Sequence, residues 1–326
     1  MTNVIDRVGA NLSIVLQGFI GSKNRFNEVV SSFRRIAPAA EIIVSTWAEC
    51  AQNAVDYDKL VLSDDPGGIN LSELGGRKEN NFNRQLLSSK RGLEKSSRLF
   101  SLKVRSDISA KNDNFITLYN KTLEESLHYD KQYFNDKPML LISTHSSKNP
   151  RLYPAYLHFC DWFILSETSH VYSIFDMPLL EREDFSFGRE SEIPDIYFKK
   201  KFSLERWSSE TLLWKNYAAN LHSFNMTHTF HNTPEIRDVH EELLSTCLII
   251  VDEEMSGLYI EKKGYKDLLS FKSCYEYSFE DWALSTKRRR WNFFEKVKFN
   301  FRCSLSNFTK FLYRNYLYLK KRNTIR

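Results

Sequence analysis

The sequence predicts an α/β protein with a mostly parallel sheet flanked by helices. Short apolar runs that suit buried strands alternate with segments whose apolar residues recur at helical spacing. Strands that alternate with helices in this way form βαβ units and a parallel sheet. The chain of 326 residues is long enough for one large domain with an appended segment.

Four strands and two helices are predicted in the first third of the chain. The strands are expected at residues 12–17 (LSIVLQ), 41–46 (EIIVST), 57–63 (YDKLVLS) and 99–104. The helices are expected at residues 24–36 and 80–96, and Pro38 stops the first of them. A Pro-Gly-Gly turn at 66–68 closes the third strand.

The second half of the chain continues this pattern less regularly. Further strands are expected at residues 138–144 (PMLLIST) and 157–166 (LHFCDWFILS), and helices at 206–221 and 234–247. Residues 181–201 have no clear period and are rich in charge, so they are expected to form a long loop that covers a site as a lid.

Charge is distributed unevenly along the chain. The formal net charge is +5, but residues 287–326 contain 13 Lys or Arg and a single acid, Glu295. This tail therefore contributes +12, and the rest of the chain has a net charge of −7. Ten aromatic residues are interleaved with the basic residues of the tail. Such an asymmetry predicts an anionic partner for the tail.

Cysteine usage and hydropathy bear on location. The five cysteines have no CxxC spacing, so they favour neither a disulfide framework nor a zinc site and fit a reducing compartment. A secretory signal is not expected, because charged residues precede an apolar run of only a few residues at 12–16. No stretch approaches the roughly 18 apolar residues of a spanning helix. The sequence predicts a cytoplasmic protein that is at most attached to a membrane surface.

Four short polar motifs lie where predicted strands end or a helix begins. They are Ser45-Thr46-Trp47, Asp64-Asp65-Pro66-Gly67, the helix start with Asn81, Arg84 and Gln85, and Arg105-Ser106-Asp107. Ligands of open α/β sheets bind at the carboxyl ends of the strands, so the four motifs predict one site. Converging carboxylates and arginines suit a metal ion and a phosphorylated ligand, which indicates an enzyme that acts on a nucleotide-linked substrate.

Asp107 is the candidate metal ligand. It follows a predicted strand, so its carboxylate is expected at the carboxyl edge of the sheet. A divalent cation held there would neutralise charge that develops on a leaving nucleoside diphosphate. The structural alternative is that Asp107 caps the next element or pairs with Lys103 or Arg105.

The other motifs also have structural alternatives. One acid of the pair Asp64 and Asp65 is expected to bind the ribose or uracil of a nucleotide or to support the metal, although Asp-Pro-Gly is also an ordinary turn. Trp47 either packs against a base or sugar face or belongs to the core. On the helix at 80–96, one face is polar and looks towards the crevice or towards solvent. The polar face contains Asn81, Arg84, Gln85 and Ser88, and the apolar face contains Phe82, Leu86 and Leu93.

Two acids in the second half are candidates for a general base. Asp161 lies inside an otherwise apolar run, where an acid is costly unless it is paired or used in catalysis. A structural ion pair is the alternative for this residue. Glu210 opens a predicted helix, where it either acts as a base or only complements the helix dipole.

The chain has no Walker P-loop, GxGxxG, GxSxG or HExxH motif. It does contain five other motifs in a characteristic order. These are Leu16-Gln17-Gly18, Pro38 followed by EIIVSTW, Tyr57-Asp58-Lys59 leading to SDDPGG, NNFNRQ with Gly92-Leu93 behind it, and LKVRSD. Together they resemble the WavE family, glycosyltransferases of bacterial lipopolysaccharide and capsule synthesis. The resemblance covers about residues 12–220 and is strongest over 12–108.

This resemblance implies a GT-A-like fold over residues 1–284, with a nucleotide-sugar-binding half at 1–110 and an acceptor-side half at 138–284. The implied nucleotide-sugar ligands are Gln17, Gly18, Ser45, Thr46, Trp47, Asp64, Asp65, Asn81, Arg84, Gln85, Arg105 and Ser106. GT-A enzymes hold a metal and the diphosphate with an Asp-X-Asp motif, and only the last acid, Asp107, is present here. The implied cofactor is Mn²⁺ or Mg²⁺. Alternatively, Arg105 supplies the charge itself or the paired acids at 64 and 65 complete the shell.

The implied reaction is transfer of a sugar, expected to be a hexose, from a nucleotide sugar, most readily a UDP-sugar, to a glycolipid or polysaccharide acceptor. The product would be lipopolysaccharide, O-antigen or capsule. Asp161 is the first choice for the catalytic base and Glu210 the second. A nucleotide- or nucleic-acid-binding protein and a metal-dependent nucleotidyltransferase are the alternatives.

The tail at 285–326 is expected to be a helical, basic and aromatic membrane-association segment. Basic residues with aromatic anchors suit an anionic membrane surface, which would place the enzyme beside glycolipid acceptors on the cytoplasmic face of the inner membrane. Packing on the core and binding of single-stranded nucleic acid are the alternatives. Nucleic acid is not the expected partner.

Overall fold

The computed structural model describes residues 6–75, 78–128, 138–142, 146, 155–200, 204–260, 277 and 279–286. The strands in this part of the chain are β1 (Leu12–Gln17), β2 (Glu41–Trp47), β3 (Lys59–Ser63), β4 (Phe100–Arg105), β5 (Ile108–Ala110), β6 (Met139–Ile142), β7 (Phe163–Glu167), β8 (Leu248–Val251) and β9 (Leu258–Ile260). The α-helices are α1 (Asp6–Ala10), α2 (Lys23–Ile36), α3 (Phe82–Glu94), α4 (Asn114–His128), α5 (Thr168–Phe175), α6 (Asp195–Lys200), α7 (Ser209–Ala219), α8 (Pro234–Glu242), α9 (Glu253–Ser256) and α10 (Phe279–Ser285).

Seven strands form one central sheet in the order β3-β2-β1-β4-β7-β6-β8. The first four strands pair in parallel, and β6 and β8 are also parallel. Strand β7 runs antiparallel to both of its neighbours. A separate antiparallel pair joins β5 to β9. The predicted fold class, a mostly parallel α/β sheet flanked by helices, is confirmed.

The sheet combines strands from both predicted halves of the domain, since β4 pairs with β7. The division at 1–110 and 138–284 stays a prediction. The predicted membrane-association helix lies outside the described residues from position 287 onwards.

The second half differs from the sequence prediction in three places. The predicted strand at 157–166 is a strand only from Phe163, because Leu157 has φ +53° and the chain between them is irregular. The predicted helix at 234–247 is α-helical only as far as Glu242, and the remaining residues, 243–247, form a π-helix. Residues 181–201 are not without structure, since they contain two short 3-10 turns and α6.

Helix α3 packs very closely on the sheet, and Gly92 makes this possible. A Cβ atom at Gly92 would lie 2.4 Å from Val15 Cγ1 and 3.0 Å from Ser45 Cβ. The predicted apolar face of the helix is buried against the same strands, with Phe82, Leu86 and Leu93 at most 2% exposed. The opposite face of α3 therefore has a fixed position relative to the carboxyl ends of β1 and β2.

Glu41 connects neighbouring strands at their amino-terminal ends, opposite the end where α3 begins. Its carboxylate accepts hydrogen bonds from Ser13 Oγ at 2.6 Å and from Ser97 N and Oγ at 3.0 and 2.8 Å. It also pairs with Lys59 Nζ at 2.6 Å. Burial alone would raise the pKa of Glu41, but these hydrogen bonds, led by that from Lys59, lower it from 4.5 to about 2. The ionised carboxylate therefore stabilises the fold.

We expect Glu41→Gln to lower the free energy of unfolding by about 2 kcal/mol at pH 7, because the lowered pKa represents stability that the charge supplies. This stability is complete above the unfolded pKa near 4.5 and is lost as the pH falls through about 2. Equilibrium urea unfolding at several pH values measures it.

The matched control is Glu94→Gln, which removes a helix-surface ion pair to Arg91 and should cost less than about 0.5 kcal/mol. A difference between wild type and Glu41→Gln that stays constant down to pH 2 would contradict the role of the charge.

Candidate active site

A cleft of about 610 Å³ opens at the carboxyl ends of β1, β2 and β4 and beside the start of α3. Its lining consists of Gln17, Gly18, Phe19, Gly21, Trp47, Glu49, Asp65, Asn81, Arg84, Gln85, Arg105, Ser106 and Asp107. This is the edge at which parallel α/β sheets bind ligands. The cleft lies within the usual size range of small-molecule sites, roughly 300–1,000 Å³.

The structure brings most of the candidate residues together. Those that line the cleft are Gln17, Gly18, Trp47, Asp65, Asn81, Arg84, Gln85, Arg105, Ser106 and Asp107. Those that do not line it are Ser45, Thr46, Asp64, Asp161 and Glu210. The binding roles of the lining residues remain predictions, since position alone does not show a contact with a ligand.

Side chains from the neighbouring strand ends fix the conformation of the loop after β1. Gly18 has φ +108°, a conformation that residues with a Cβ rarely adopt. Thr46 Oγ1 donates to the Gly18 carbonyl at 2.8 Å, and Ser106 Oγ donates to the Phe19 carbonyl at 2.7 Å. Thr46 therefore shapes the cleft from behind. Ser45 is fully buried beneath it.

Arg84 and Asp65 form a bidentate ion pair on one wall of the cleft. Arg84 Nε and Nη2 donate to the Asp65 carboxylate at 2.7–3.0 Å, and Nη1 donates to Asn81 Oδ1 at 2.8 Å. The Arg84 guanidinium lowers the pKa of Asp65, and the same contact raises the pKa of Arg84. Asp64, the neighbouring acid, is exposed and lies outside the cleft.

Arg105 and Asp107 form a second pair on the opposite wall. Arg105 Nε and Nη2 donate to Asp107 at 2.9 and 2.5 Å. The Arg105 guanidinium lies 4.3 Å from the ring centroid of Trp162, a cation–π contact that fixes its plane. The pairing of Asp107 with Arg105 is the structural alternative that the sequence left open. It does not remove Asp107 from the cleft, where its side chain is 44% exposed.

The two candidate bases occupy other places. Asp161 is 1% exposed and lies behind Gln85, whose Nε2 donates to its carboxylate. Because Gln85 and not Asp161 lines the cleft, a direct role of Asp161 as a base is not supported by the geometry. Glu210 lies in the first turn of α7, next to the N-cap Ser208, and it too is absent from the lining. It therefore fits the helix-dipole role.

The donor atoms allow one test of the expected metal. Within the described residues, no three His, Cys, Asp or Glu side chains are grouped to hold an ion. Magnesium-like cations are often held by one or two carboxylates together with substrate phosphates, and the exposed Asp107 fits that mode. Asp65 and Asp107 are each paired with an arginine, but Asp107 is the more exposed of the two, at 44% against 21%. Asp107 is thus the residue that would hold a cation, and such an ion would offset the charge of a leaving diphosphate.

Three lining residues were not among the candidates from sequence. Phe19 is 65% exposed at the mouth, Gly21 lies beneath its ring, and Glu49 belongs to the 3-10 turn after β2. Glu49 is exposed and makes no ion pair or hydrogen bond to the described residues. Both Phe19 and Glu49 lie within two residues of motifs that had been chosen. Extending each strand-end motif by one turn would have found them.

The described part of the chain contains no helix that is long and apolar enough to cross a bilayer. The fold and the cleft together define an α/β protein with a ligand-sized crevice at the carboxyl ends of its strands.

A family model described as WavE lipopolysaccharide synthesis matches residues 12–317, nearly the whole chain. The protein therefore belongs to the WavE family of lipopolysaccharide synthesis, as its motifs indicated. None of the curated proteins matches the sequence.

Several solved structures are distantly similar. HddC from Yersinia pseudotuberculosis has 11% identity and a TM-score of 0.29, over 52% of this chain and 80% of HddC. S. aureus TarS has 10% identity and a TM-score of 0.38, over 88% and 41% of the two chains. The apo-form glycosyltransferase GlyE of Streptococcus pneumoniae TIGR4 has 8% identity and a TM-score of 0.30, over 75% and 46%. This chain spans less than half of the TarS and GlyE chains, and likenesses of this strength identify no activity.

Proposed function

We propose that this protein is a glycosyltransferase that moves a sugar from a nucleotide-sugar donor to a glycolipid or polysaccharide acceptor. The products would be lipopolysaccharide, O-antigen or capsule, in keeping with its family. A UDP-hexose is the donor to test first. The observation that carries the proposal is the cleft at the strand ends. Its lining includes two arginines, three acids and two glycines of the loop after β1.

Arg105 is the residue best suited to bind the diphosphate. Its Nε and Nη2 bond Asp107, while its Nη1 makes no hydrogen bond to the described residues. Stacking on Trp162 holds the guanidinium in place without using its N–H groups. A guanidinium with one free edge can donate a hydrogen bond to a phosphate oxygen without first losing its carboxylate partner. Arg84 is more fully used, since it bonds both Asp65 and Asn81.

The charge of the cleft favours a cation that arrives with the ligand. The lining contains Arg84 and Arg105 against Glu49, Asp65 and Asp107, so its formal charge is −1. A nucleoside diphosphate is itself an anion, and an uncompensated anionic ligand would be repelled by this lining. A divalent cation held by Asp107 would reverse the balance.

Glu49 is the cleft carboxylate without an arginine partner among the described residues. Removal of the proton from an acceptor hydroxyl requires a carboxylate or similar base that touches the reacting groups. Asp65 and Asp107 are each neutralised by an arginine, and Asp161 and Glu210 do not line the cleft. We therefore place the general base at Glu49.

The first experiment measures nucleoside diphosphate release from a panel of nucleotide sugars, with and without Mn²⁺. We expect one donor to be hydrolysed slowly without acceptor, and we expect release to fall at least tenfold with EDTA and in Asp107→Asn. Arg105→Met should raise the KM for the donor, because its free N–H edge would be lost.

Asp113→Asn is the matched control, since Asp113 is exposed and lies outside the cleft. Release that survives EDTA and Asp107→Asn would remove the metal from the mechanism and leave the transferase proposal in place. Absence of nucleotide-sugar binding by calorimetry, together with absence of release, would contradict the proposed function.

Glu49→Gln should reduce kcat by about 10²–10⁴-fold with little change in donor affinity, because it removes a proton acceptor and keeps the shape. Glu28→Gln, on the exposed surface of α2, is the control. A rise in the KM for the donor with an unchanged kcat would instead make Glu49 a binding residue.

We also propose that the basic tail, residues 287–326, attaches the enzyme to the cytoplasmic face of the inner membrane. Its support is the excess of 13 basic residues over one acid, interleaved with ten aromatics. Each Lys or Arg near an anionic surface contributes about 1 kcal/mol. Attachment would hold the cleft close to membrane-bound acceptors.

Liposome flotation tests this attachment. The full chain should float with anionic vesicles at low salt, stay behind with neutral vesicles, and be released as salt screens the charges. A chain that lacks residues 287–326 should not float. Undiminished flotation of the truncated chain would contradict the membrane role of the tail.

A further inference from the structure

Gln85 is a cleft residue whose recognition chemistry depends on its orientation. A glutamine side chain carries an N–H₂ donor and a carbonyl acceptor, and the two are nearly equal in shape. Which of them faces the ligand must be deduced from the hydrogen bonds made by the other. Gln85 lines the cleft, so this orientation decides which ligand group it can recognise.

Asp161 resolves the orientation. Gln85 Nε2 donates to Asp161 Oδ2, and Asp161 is buried, with 1% of its surface exposed. A carboxylate oxygen accepts this hydrogen bond, so it faces the amide nitrogen and not the amide oxygen. Gln85 Oε1 accepts no hydrogen bond from the described residues. It is left as a free acceptor on the cleft side of the helix.

Lys103 provides the counter-charge for Asp161. It lies in β4, is completely buried, and donates from Nζ to the main-chain carbonyl of Asp161. Its ammonium also lies 5.0 Å from the ring centroid of Phe175. Burial lowers the pKa of Lys103 to about 8, and the charge of Asp161 acts in the opposite direction. A positive charge on Lys103 would partly offset the cost of a buried carboxylate on the same short segment.

The charged and titratable groups around Lys103 are few. Besides Asp161 they are Cys160, whose pKa is raised by burial, and Arg105, which repels Lys103. Trp162 is the residue after Asp161. Its main-chain carbonyl accepts a hydrogen bond from Arg105 N at 3.2 Å, and its ring stacks against the Arg105 guanidinium. The same short segment therefore supports Gln85 through one residue and Arg105 through the next.

We propose that Asp161 is a positioning residue for Gln85: its buried carboxylate holds the amide nitrogen inward, so that Gln85 Oε1 faces the cleft as an acceptor for a hydroxyl or N–H group of the ligand. The identity of that ligand rests on the proposed function. The orientation of the amide does not.

Selective ¹⁵N labelling of glutamine side chains reads the orientation without any ligand. The chain has four glutamines, so four N–H₂ pairs are expected, and Gln85→Met assigns the relevant one. In the wild-type protein the Gln85 protons should exchange with solvent much more slowly than those of the exposed Gln52. In Asp161→Asn the Gln85 pair should shift and its exchange should accelerate. Exchange in the wild type as fast as that of Gln52 overturns the proposal even if Asp161→Asn fails to fold.

Ligand affinity gives the second readout. Asp161→Asn and Gln85→Met should each weaken donor binding by about tenfold, the value of one hydrogen bond to a polar group. The double variant should be no weaker than Gln85→Met alone, because the two residues act through one contact. The pH profile of kcat should be unchanged in all three. Independent, additive losses, or loss of a limb of the pH profile in Asp161→Asn, would instead mean that Asp161 acts on the reaction directly.

Comparison of two probes identifies the ligand group. Equal weakening for UDP and for the UDP-sugar would place the recognised hydroxyl or N–H on the nucleotide, whereas weakening for the UDP-sugar alone would place it on the sugar. If the wild-type protein binds neither these probes nor any other nucleotide sugar of the panel, the proposed function fails, and the exchange measurement still decides the orientation of Gln85.

Discussion

The parallel pairing of β1 between β2 and β4 is the constraint on which the site depends. In this register Gln17 is the partner of Ser45 on one side and of Arg105 on the other, so β1 and β4 end in one row and β2 continues only two residues beyond it. Two main-chain bonds extend the alignment past the strands, from Gly18 N to Ser45 O and from Ser106 N to Gln17 O, each 3.0 Å long. The loops that follow must therefore leave the sheet together. A shift of the register by one residue would turn every side chain in that row to the opposite face and dissolve the cleft.

A buried polar layer lies directly behind this row. Lys103 is in the middle of β4, where both faces of the sheet are covered, and Asp161 precedes the antiparallel strand β7. Burying an ammonium and a carboxylate group costs several kcal/mol in desolvation and is seldom the most stable choice for a core. Apolar residues at both positions would pack without that cost. What Asp161 supplies is a directional contact to Gln85, because a carboxylate oxygen that accepts from the amide nitrogen fixes which end of the amide points away from it.

Local patterns in the sequence predict the elements and the edge of the sheet that binds ligand. The apolar face of α3, with Phe82, Leu86 and Leu93, follows from helical spacing and is buried as expected. The pairing of Arg84 with Asp65, 19 positions away, depends on how the loop returns to the helix, which no local pattern encodes. Asp161 shows the same limit. The sequence marks it as an acid in an apolar run, but only the irregular backbone around Leu157 decides that it turns inward, behind the cleft.

The two arginine–carboxylate pairs are alike in geometry and unlike in their surroundings. Asp65 is 21% exposed and also accepts from Gly67 N at 3.0 Å, and its partner Arg84 is held by Asn81 as well. Opening this pair would break the turn and the helix start together. Asp107 is 44% exposed, and Arg105 is supported from below by Trp162 rather than by further acceptors. Water or a cation can replace Arg105 at Asp107 with little loss, since exposed ion pairs contribute at most about 1 kcal/mol. A cation that arrives with an anionic ligand would therefore rearrange the Arg105 wall of the cleft, while the Arg84 wall keeps its shape.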